Sequence, residues 1–98
     1  MFDIYNPYFV DKKIVIYGAG RYGRHCYEKV KGLCSIIAWV DKNYKTCDNY
    51  NGYCITSTLL LADEIFDYVY VAIGNDVVFF QAFKELISLG ISEEKIVG

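Results

Sequence analysis

A small doubly wound parallel α/β sheet is the fold class that the sequence predicts, and three observations predict it. Short apolar runs rich in β-branched residues alternate with segments of helical period along the 98 residues. The first run leads into a glycine-rich turn, GAGRYG, at 18–23, and the second ends in an acid, Asp41. Strands that alternate with helices pair in parallel through right-handed crossovers. We therefore expect about five strands in the order 3-2-1-4-5.

Composition limits the classes to which the protein can belong. Ninety-eight residues suffice for one domain. With 54% hydrophobic and 22% charged residues and a net charge of -2, the chain resembles neither a disordered protein nor a nucleic-acid binder. Its apolar runs are far shorter than the roughly 20 residues of a membrane span, and its start does not look like a secretory signal. We expect a cytoplasmic protein with an N-terminal arm, residues 1–11, and one domain, residues 12–98.

The first half of the domain predicts two strands and a helix. IVIY at 14–17 is typical of a strand buried on both faces. Four apolar residues then recur at helical spacing: Tyr22, Cys26, Val30 and Leu33. The run at 35–41 predicts the second strand. The polar stretch 42–54 predicts a loop, with a short edge strand near 53–56.

The second half predicts two helices and two further strands. The segment 57–65 indicates a short helix, and 67–74 is a strand closed by glycine. A longer helix follows at 75–90, with Asn75 as its N-cap and Gly90 just after its end. A last short strand completes the sheet at the C-terminal end of the sequence.

The glycine turn predicts a phosphate-binding site. In G-x-G-x-x-G the first glycine permits a tight turn, the second lets a pyrophosphate approach the backbone, and the third lets the helix pack closely on the strand. Gly18, Gly20 and Gly23 fill these places. The helix that begins there offers its amides and the positive end of its dipole to an anion. Arg21 and Tyr22 are within reach of a phosphate, although their spacing assigns Tyr22 to the core and Arg21 to solvent.

Asp41 adds a second signal, since it ends the second strand 21 positions after Gly20. A carboxylate there can accept hydrogen bonds from both ribose hydroxyls and repels a 2′-phosphate, which favours NAD over NADP and suits a UDP-sugar equally. The alternative is a polar strand end without a ligand. Topology brings Gly74 and Asn75 to the same crevice, where Asn75 can bond a sugar or phosphate oxygen or only cap its helix.

The sequence contains no complete catalytic set and no metal site. Its four cysteines match no metal-binding or redox spacing and are expected to be reduced, buried or half-buried thiols: Cys26, Cys34, Cys47 and Cys54. The single histidine, His25, lies on a helix that leads away from the crevice. Tyr27 and Lys31 lie at the wrong end of the fold for proton relay to a nicotinamide. A complete dehydrogenase is therefore excluded, and whether the chain is part of an enzyme stays open.

Three stretches resemble a known family: KKIVIYGAGRYGRHCYEKVK, IIAWVDKN, and the segment 67–97. They are similar to the Rossmann-like nucleotide-binding domains of bacterial cell-surface glycan enzymes, among them hexapeptide-repeat sugar acyltransferases and capsule nucleotide-sugar dehydratases. The chain lacks the left-handed β-helix that holds the acceptor base in those acyltransferases. What the resemblance implies is an accessory or regulatory module of polysaccharide biosynthesis that binds NAD or a UDP-sugar.

Two other interpretations stay open. In one, the chain is half of a catalytic unit, a nucleotide-sugar oxidoreductase or a sugar transferase, whose catalytic domain is covalently attached or separate. In the other, it has lost its ligand and serves as a docking domain. The aromatic arm then provides a contact with a partner or with a second copy through its exposed rings: Phe2, Tyr5, Tyr8 and Phe9.

Overall fold

The structure is a computed structural model that describes residues 10–62 and 65–98. Within these ranges the chain forms a small α/β fold of four strands and two α-helices. In chain order they are β1 (Lys13–Tyr17), α1 (Arg21–Val30), β2 (Ser35–Val40), β3 (Tyr68–Val71), α2 (Asp76–Ser88) and β4 (Ile96–Val97). Short 3₁₀ turns cover Tyr44–Thr46, Thr58–Ala62 and Glu93–Lys95.

The four strands form one parallel sheet in the order β2-β1-β3-β4. Tyr17, the last residue of β1, lies opposite Val40 of β2 and Val71 of β3. The carboxyl ends of these three adjacent strands therefore meet at one end of the sheet. That end is where the glycine turn, Asp41 and the loop after β3 begin.

β1 separates the two halves of the core because its side chains alternate between the faces of the sheet. Val15 and Tyr17 pack in the cluster that contains Leu86 of α2. Ile14 and Ile16 pack in the other cluster, which contains Cys26 of α1. The two helices thus cover opposite faces, and the prediction that β1 is buried on both faces is confirmed.

The edge strand predicted at 53–56 is reduced to a single parallel bridge between Val40 and Thr56. The loop before it packs two tyrosine rings onto the α1 face of the sheet instead. Tyr50 and Tyr53 lie edge-on to Trp39, with ring centroids 5.5 and 6.2 Å away. A tight turn at 51–52 is closed by an antiparallel bridge between Tyr50 and Tyr53, so position 53 pairs with Tyr50 and not with β2.

The helix predicted at 57–65 is a 3₁₀ turn in its described part, Thr58–Ala62, and residues 63–64 lie outside the described ranges. Leu61 of this turn and Phe66, which follows the predicted helix, enter the same core cluster.

Both ends of α2 agree with the sequence prediction. The Asn75 side chain caps the first turn. Gly90 follows the C-cap residue Leu89 with φ +90°, a left-handed conformation that glycine adopts readily. Ile91 donates its amide to the Leu86 carbonyl at 3.1 Å and shares that residue's core cluster. The sequence pattern of N-cap and terminal glycine was therefore a sound guide to this helix.

Several other expectations concern what the chain lacks. The aromatic residues of the predicted arm, 1–11, all fall within residues 1–9, which lie outside the described ranges. Across the residues that are described, no helix has the length and apolar character needed to cross a bilayer. In the same residues no group of three or more His, Cys, Asp or Glu side chains could hold a metal ion. All four cysteines are free, and Cys54 is exposed rather than half-buried as predicted.

Candidate functional site

Two of the three glycines of the turn are required by packing within the chain. Gly18 has φ +116°, and a Cβ there would lie 2.8 Å from the Ala72 carbonyl oxygen of the neighbouring strand end. A Cβ on Gly23 would run into the Gly18 carbonyl oxygen. That oxygen also accepts a hydrogen bond of 2.7 Å from Nε1 of Trp39. The first and third glycines thus have the turn and close-packing roles predicted for them.

Gly20, the middle glycine, has different surroundings. It is the N-cap of α1 with φ -86°, which any residue can adopt, and no heavy atom lies within 4 Å of a Cβ placed there. It offers no side chain to cap the helix. The first amides of a helix have no partner within the helix, so those of α1 are available to a group approaching over Gly20. At α2, by contrast, Asn75 Oδ1 accepts hydrogen bonds from the amides of Val77 and Val78 at 2.9 and 3.1 Å.

The Asp41 carboxylate joins the end of β2 to the glycine turn. Its Oδ2 accepts a hydrogen bond from the Ala19 amide at 2.7 Å, and its Oδ1 accepts one from the Asn43 amide at 2.7 Å. The side chain is only partly exposed. A carboxylate oxygen has about two acceptor positions, so each oxygen can still accept one further hydrogen bond. Asp41 therefore supports the turn and still presents acceptors to its surroundings.

A crevice of about 220 Å³ opens beside Asp41 on the α2 side of the sheet. Apolar side chains of the β3 loop and α2 form part of its lining: Ile73, Val78 and Ala82. Polar residues complete it: Tyr17, Asp41, Lys42, Asn43, Gln81 and Glu85. A concave surface that combines apolar side chains with several convergent polar groups is typical of a small-molecule site.

Tyr17 and Glu85 form a hydrogen bond inside this crevice. The Tyr17 hydroxyl donates to Oε1 of Glu85 at 2.7 Å. Burial, the hydrogen bond to Glu85 and the negative charges of Glu85 and Asp41 raise the pKa of Tyr17 well above its usual range. The hydroxyl therefore stays protonated and keeps the Glu85 carboxylate as an acceptor facing the crevice. Neither residue was among the site residues predicted from sequence, because 68 positions separate them.

Tyr22 is not a core residue, and that prediction is wrong. Its side chain is 59% exposed, while the residues of α1 that are buried are Gly23, Cys26 and Val30. α1 begins only at Arg21, so position 22 lies in the first turn, at the carboxyl ends of the strands. The Tyr22 ring covers Gly74, where a Cβ would collide with it. The ring thus joins the glycine turn to the loop after β3.

The other residues singled out from the sequence lie on α1 or in the loop between β3 and α2. Arg21 and His25 are exposed on α1, as expected. Gly74 is brought to the glycine turn through the Tyr22 ring, and Asn75 follows it at the start of α2. The Asn75 side-chain oxygen is engaged in capping, which supports the capping alternative for this residue.

One protein-family model matches the part of the chain that forms this fold. No curated protein matches the chain. Residues 10–97 match the family model described as C2185-like, N-terminal. Because the match extends over every strand and helix described above, the chain belongs to the C2185-like N-terminal domain family.

Proposed function

We propose that the chain is a nucleotide-binding module of the Rossmann type, which holds the diphosphate of NAD or a UDP-sugar over the glycine turn and the ribose at Asp41. One observation supports this most. The uncapped N-terminus of α1 lies beside a carboxylate at the end of the next strand, and the Ala19 amide and Asp41 Oδ2 are 2.7 Å apart. Amide donors for the diphosphate and a carboxylate acceptor for the ribose hydroxyls are the two features that a bound nucleotide needs here.

The phosphate part of the proposal rests on Gly20 and the first turn of α1. The amides of this turn and the helix dipole favour an anion. The space above Gly20 lets a diphosphate approach the backbone closely. Arg21 is exposed beside it and can supply a charge-assisted hydrogen bond. Asp76, exposed in the first turn of α2, acts against tight anion binding.

The base and ribose part rests on the crevice. Pockets for drug-sized ligands measure about 300–1,000 Å³. At about 220 Å³ this crevice suits a nucleobase with its ribose better than a whole dinucleotide. The described sheet has four strands, whereas a full dinucleotide spans a sheet of about six. We therefore expect the nucleoside diphosphate portion to supply most of the binding free energy.

The module has an accessory or regulatory role in this proposal, in keeping with its resemblance to domains of polysaccharide biosynthesis proteins. The chemistry then belongs to a catalytic domain elsewhere. The description of the family as N-terminal favours this arrangement and also the second candidate, half of a sugar transferase or nucleotide-sugar oxidoreductase.

A calorimetric titration of the purified chain tests the proposal with NAD, NADP, ADP, UDP and UDP-N-acetylglucosamine. We expect ADP or UDP to bind, NAD to bind no more than about tenfold tighter than ADP, and NADP to bind more weakly than NAD. A tenfold difference corresponds to about 1.4 kcal/mol. A larger preference for NAD would contradict the half-site argument. If none of the five gives either heat or a thermal shift, the proposal is contradicted and the docking interpretation is favoured.

Two substitutions at Asp41 test its proposed contact with the ribose. Asp41→Ala removes that contact and also the support of the loop, because the carboxylate holds the Ala19 and Asn43 amides. Asp41→Asn is the better test of the ribose contact, since it removes the negative charge and one acceptor with little change of shape. We expect it to weaken NAD binding and to raise the affinity for NADP relative to NAD, because repulsion of the 2′-phosphate is relieved. Asp48→Asn, at an exposed carboxylate nearby in the chain, is the matched control and should leave that ratio unchanged.

A further inference from the structure

The exposed apolar side chains gather on one layer of the molecule. Among the described residues, four large exposed hydrophobic side chains lie on α2 and three lie in the Thr58–Ala62 turn or at position 65: Val77, Val78, Phe80, Ile87, Leu59, Leu60 and Ile65. The Thr58–Ala62 turn and α2 pack on the same face of the sheet, since Leu61 and Leu86 share one core cluster. On α1, which covers the opposite face, the one such residue is Tyr22. The two layers therefore differ in what they present outward.

Three of the four exposed apolar side chains on α2 form a stripe together with Lys84, while Val78 lines the crevice instead. Val77, Phe80, Lys84 and Ile87 follow one another at spacings of three, four and three, so they lie along one side of the helix. Val77 is 67%, Phe80 56% and Ile87 41% exposed. The buried residues of α2, Ala82 and Leu86, lie on the opposite side. An apolar seam of this spacing is typical of a helix that packs against a second helix.

Two charged residues on this side of α2 indicate that the second helix is α2 of another copy of the chain. Asp76 and Lys84 lie four residues before and after Phe80, about one helical turn in each direction. The Lys84 ammonium lies 4.8 Å from the centroid of the Phe80 ring, and that ring stacks on Phe83. If a second α2 packs antiparallel across Phe80, Asp76 of each copy faces Lys84 of the other. The stripe is thus complementary to itself, as the interface of a two-fold dimer must be.

We propose that the α2 stripe, Val77, Phe80, Lys84 and Ile87, is the contact surface for a second copy of this chain. The two α2 helices pack antiparallel around Phe80 over residues 76–84, and two Asp76–Lys84 ion pairs set their register. Ile87 lies past the first residue of the partner helix, so it extends the contact toward the loop that precedes the partner's α2. A helix of 13 residues is about 20 Å long, so the pair and the neighbouring apolar residues bury less than the roughly 800 Å² per partner of a standard interface. The dimer is therefore a weak one that forms and dissociates in the micromolar range or above.

Sedimentation of the full chain from about 10 µM to about 1 mM tests this. We expect the average mass to rise toward that of a dimer. Asp76→Lys places Lys opposite Lys, and Lys84→Asp places Asp opposite Asp. Each single variant should weaken self-association at least about tenfold. An equimolar mixture of the two should associate again, because each interface then pairs two Lys with two Asp, and the double variant should associate alone.

Controls separate the interface from stability. Lys31→Asp makes the same charge change on α1, where Lys31 pairs with Glu28, and should leave self-association unchanged. Phe80→Glu should abolish it, and circular dichroism melting shows whether each variant stays folded. A wild-type chain that remains monomeric at about 1 mM would overturn the proposal and leave the stripe to a different partner. A dimer that persists in both single variants, or a mixture that fails to associate, would also overturn it.

Discussion

At the scale of single residues, Gly20 and Gly23 belong to one turn but have opposite surroundings. Gly23 is buried against the Gly18 carbonyl, whereas nothing lies within 4 Å of the position of a Cβ on Gly20. Gly20 also has φ -86°, so its backbone does not need glycine. The local structure therefore explains why residue 23 is glycine and leaves residue 20 without a structural reason. The diphosphate proposed above would supply one, because it approaches the backbone at Gly20.

This difference predicts unequal effects of two matched substitutions. Gly20→Ala should change the free energy of unfolding by less than about 1 kcal/mol, because the poorer rank of alanine at an N-cap is offset by the smaller conformational entropy of its unfolded chain. Gly23→Ala should lower it by about 2 kcal/mol, since overpacking of about 3 kcal/mol outweighs the gain of about 1 kcal/mol in helix propensity. Urea denaturation measures both. Calorimetry should then show weaker ADP binding by the folded Gly20→Ala chain, and unchanged binding would argue against a diphosphate over Gly20.

At the scale of elements, the two helices differ at their N-termini. Asn75 Oδ1 accepts from two amides of α2, while α1 has no side-chain cap. The two helices also cover opposite faces of the sheet, so each contributes a different surface to the molecule. α1 contributes an open N-terminus beside Asp41, and α2 contributes its exposed apolar stripe. The proposed ligand and the proposed second copy therefore depend on different helices.

The Asn75 cap can be tested directly. Asn75→Ala should lower the free energy of unfolding by about 1–2 kcal/mol, because it leaves the Val77 and Val78 amides without their acceptor. Asn75→Asp keeps an acceptor of the same geometry and should retain most of the stability. Urea denaturation of the two variants distinguishes these outcomes. If alanine leaves stability unchanged, the capping role assigned to Asn75 is wrong.

At the scale of the whole molecule, the burial of thiol and tyrosine hydroxyl groups should make the free energy of unfolding fall at alkaline pH. Burial, with a smaller contribution from Cys34, raises the pKa of the Cys26 thiol to about 12. Burial raises that of Cys34 to about 11. Burial also raises the pKa of Tyr70, with a smaller contribution from Cys26. In the unfolded chain the thiols have their ordinary pKa of 9.0. Above that pH the unfolded state therefore loses protons that the native state keeps.

Linkage between proton binding and folding sets the direction of this pH dependence. Stability is fully present below about pH 9 and falls as pH rises toward the native pKa values, by up to about 1.4 kcal/mol per pH unit for a fully buried thiol. We expect the free energy of unfolding to be about 1–2 kcal/mol lower at pH 10 than at pH 8. Cys26→Ala should be less stable than wild type at pH 8 but lose less stability above it. Equal wild-type stability at the two pH values would contradict the burial of these thiols.

Short-range patterns were enough to predict much of this molecule. The β-branched run 14–17, the glycine turn 18–23 and the capped helix after Asn75 all formed as expected. Each depends on interactions within a few residues: alternation of side chains along a strand, a positive φ at Gly18, or a side chain that bonds the next turn. Such interactions are encoded in neighbouring positions, so a single sequence is sufficient to recognise them.

Other features depend on contacts between distant segments. The tyrosines of the 44–54 loop pack on Trp39 and leave only one bridge where an edge strand was predicted. Asp41 reaches the Ala19 amide across 22 positions, and Tyr17 reaches Glu85 across 68. The spacing of Asp41 after Gly20 places it near the glycine turn but does not identify the Ala19 amide as its partner. Nothing in the sequence pairs Tyr17 with Glu85, because that bond depends on which surfaces the folded sheet and α2 bring together. The crevice beside Asp41 exists only through these long-range contacts.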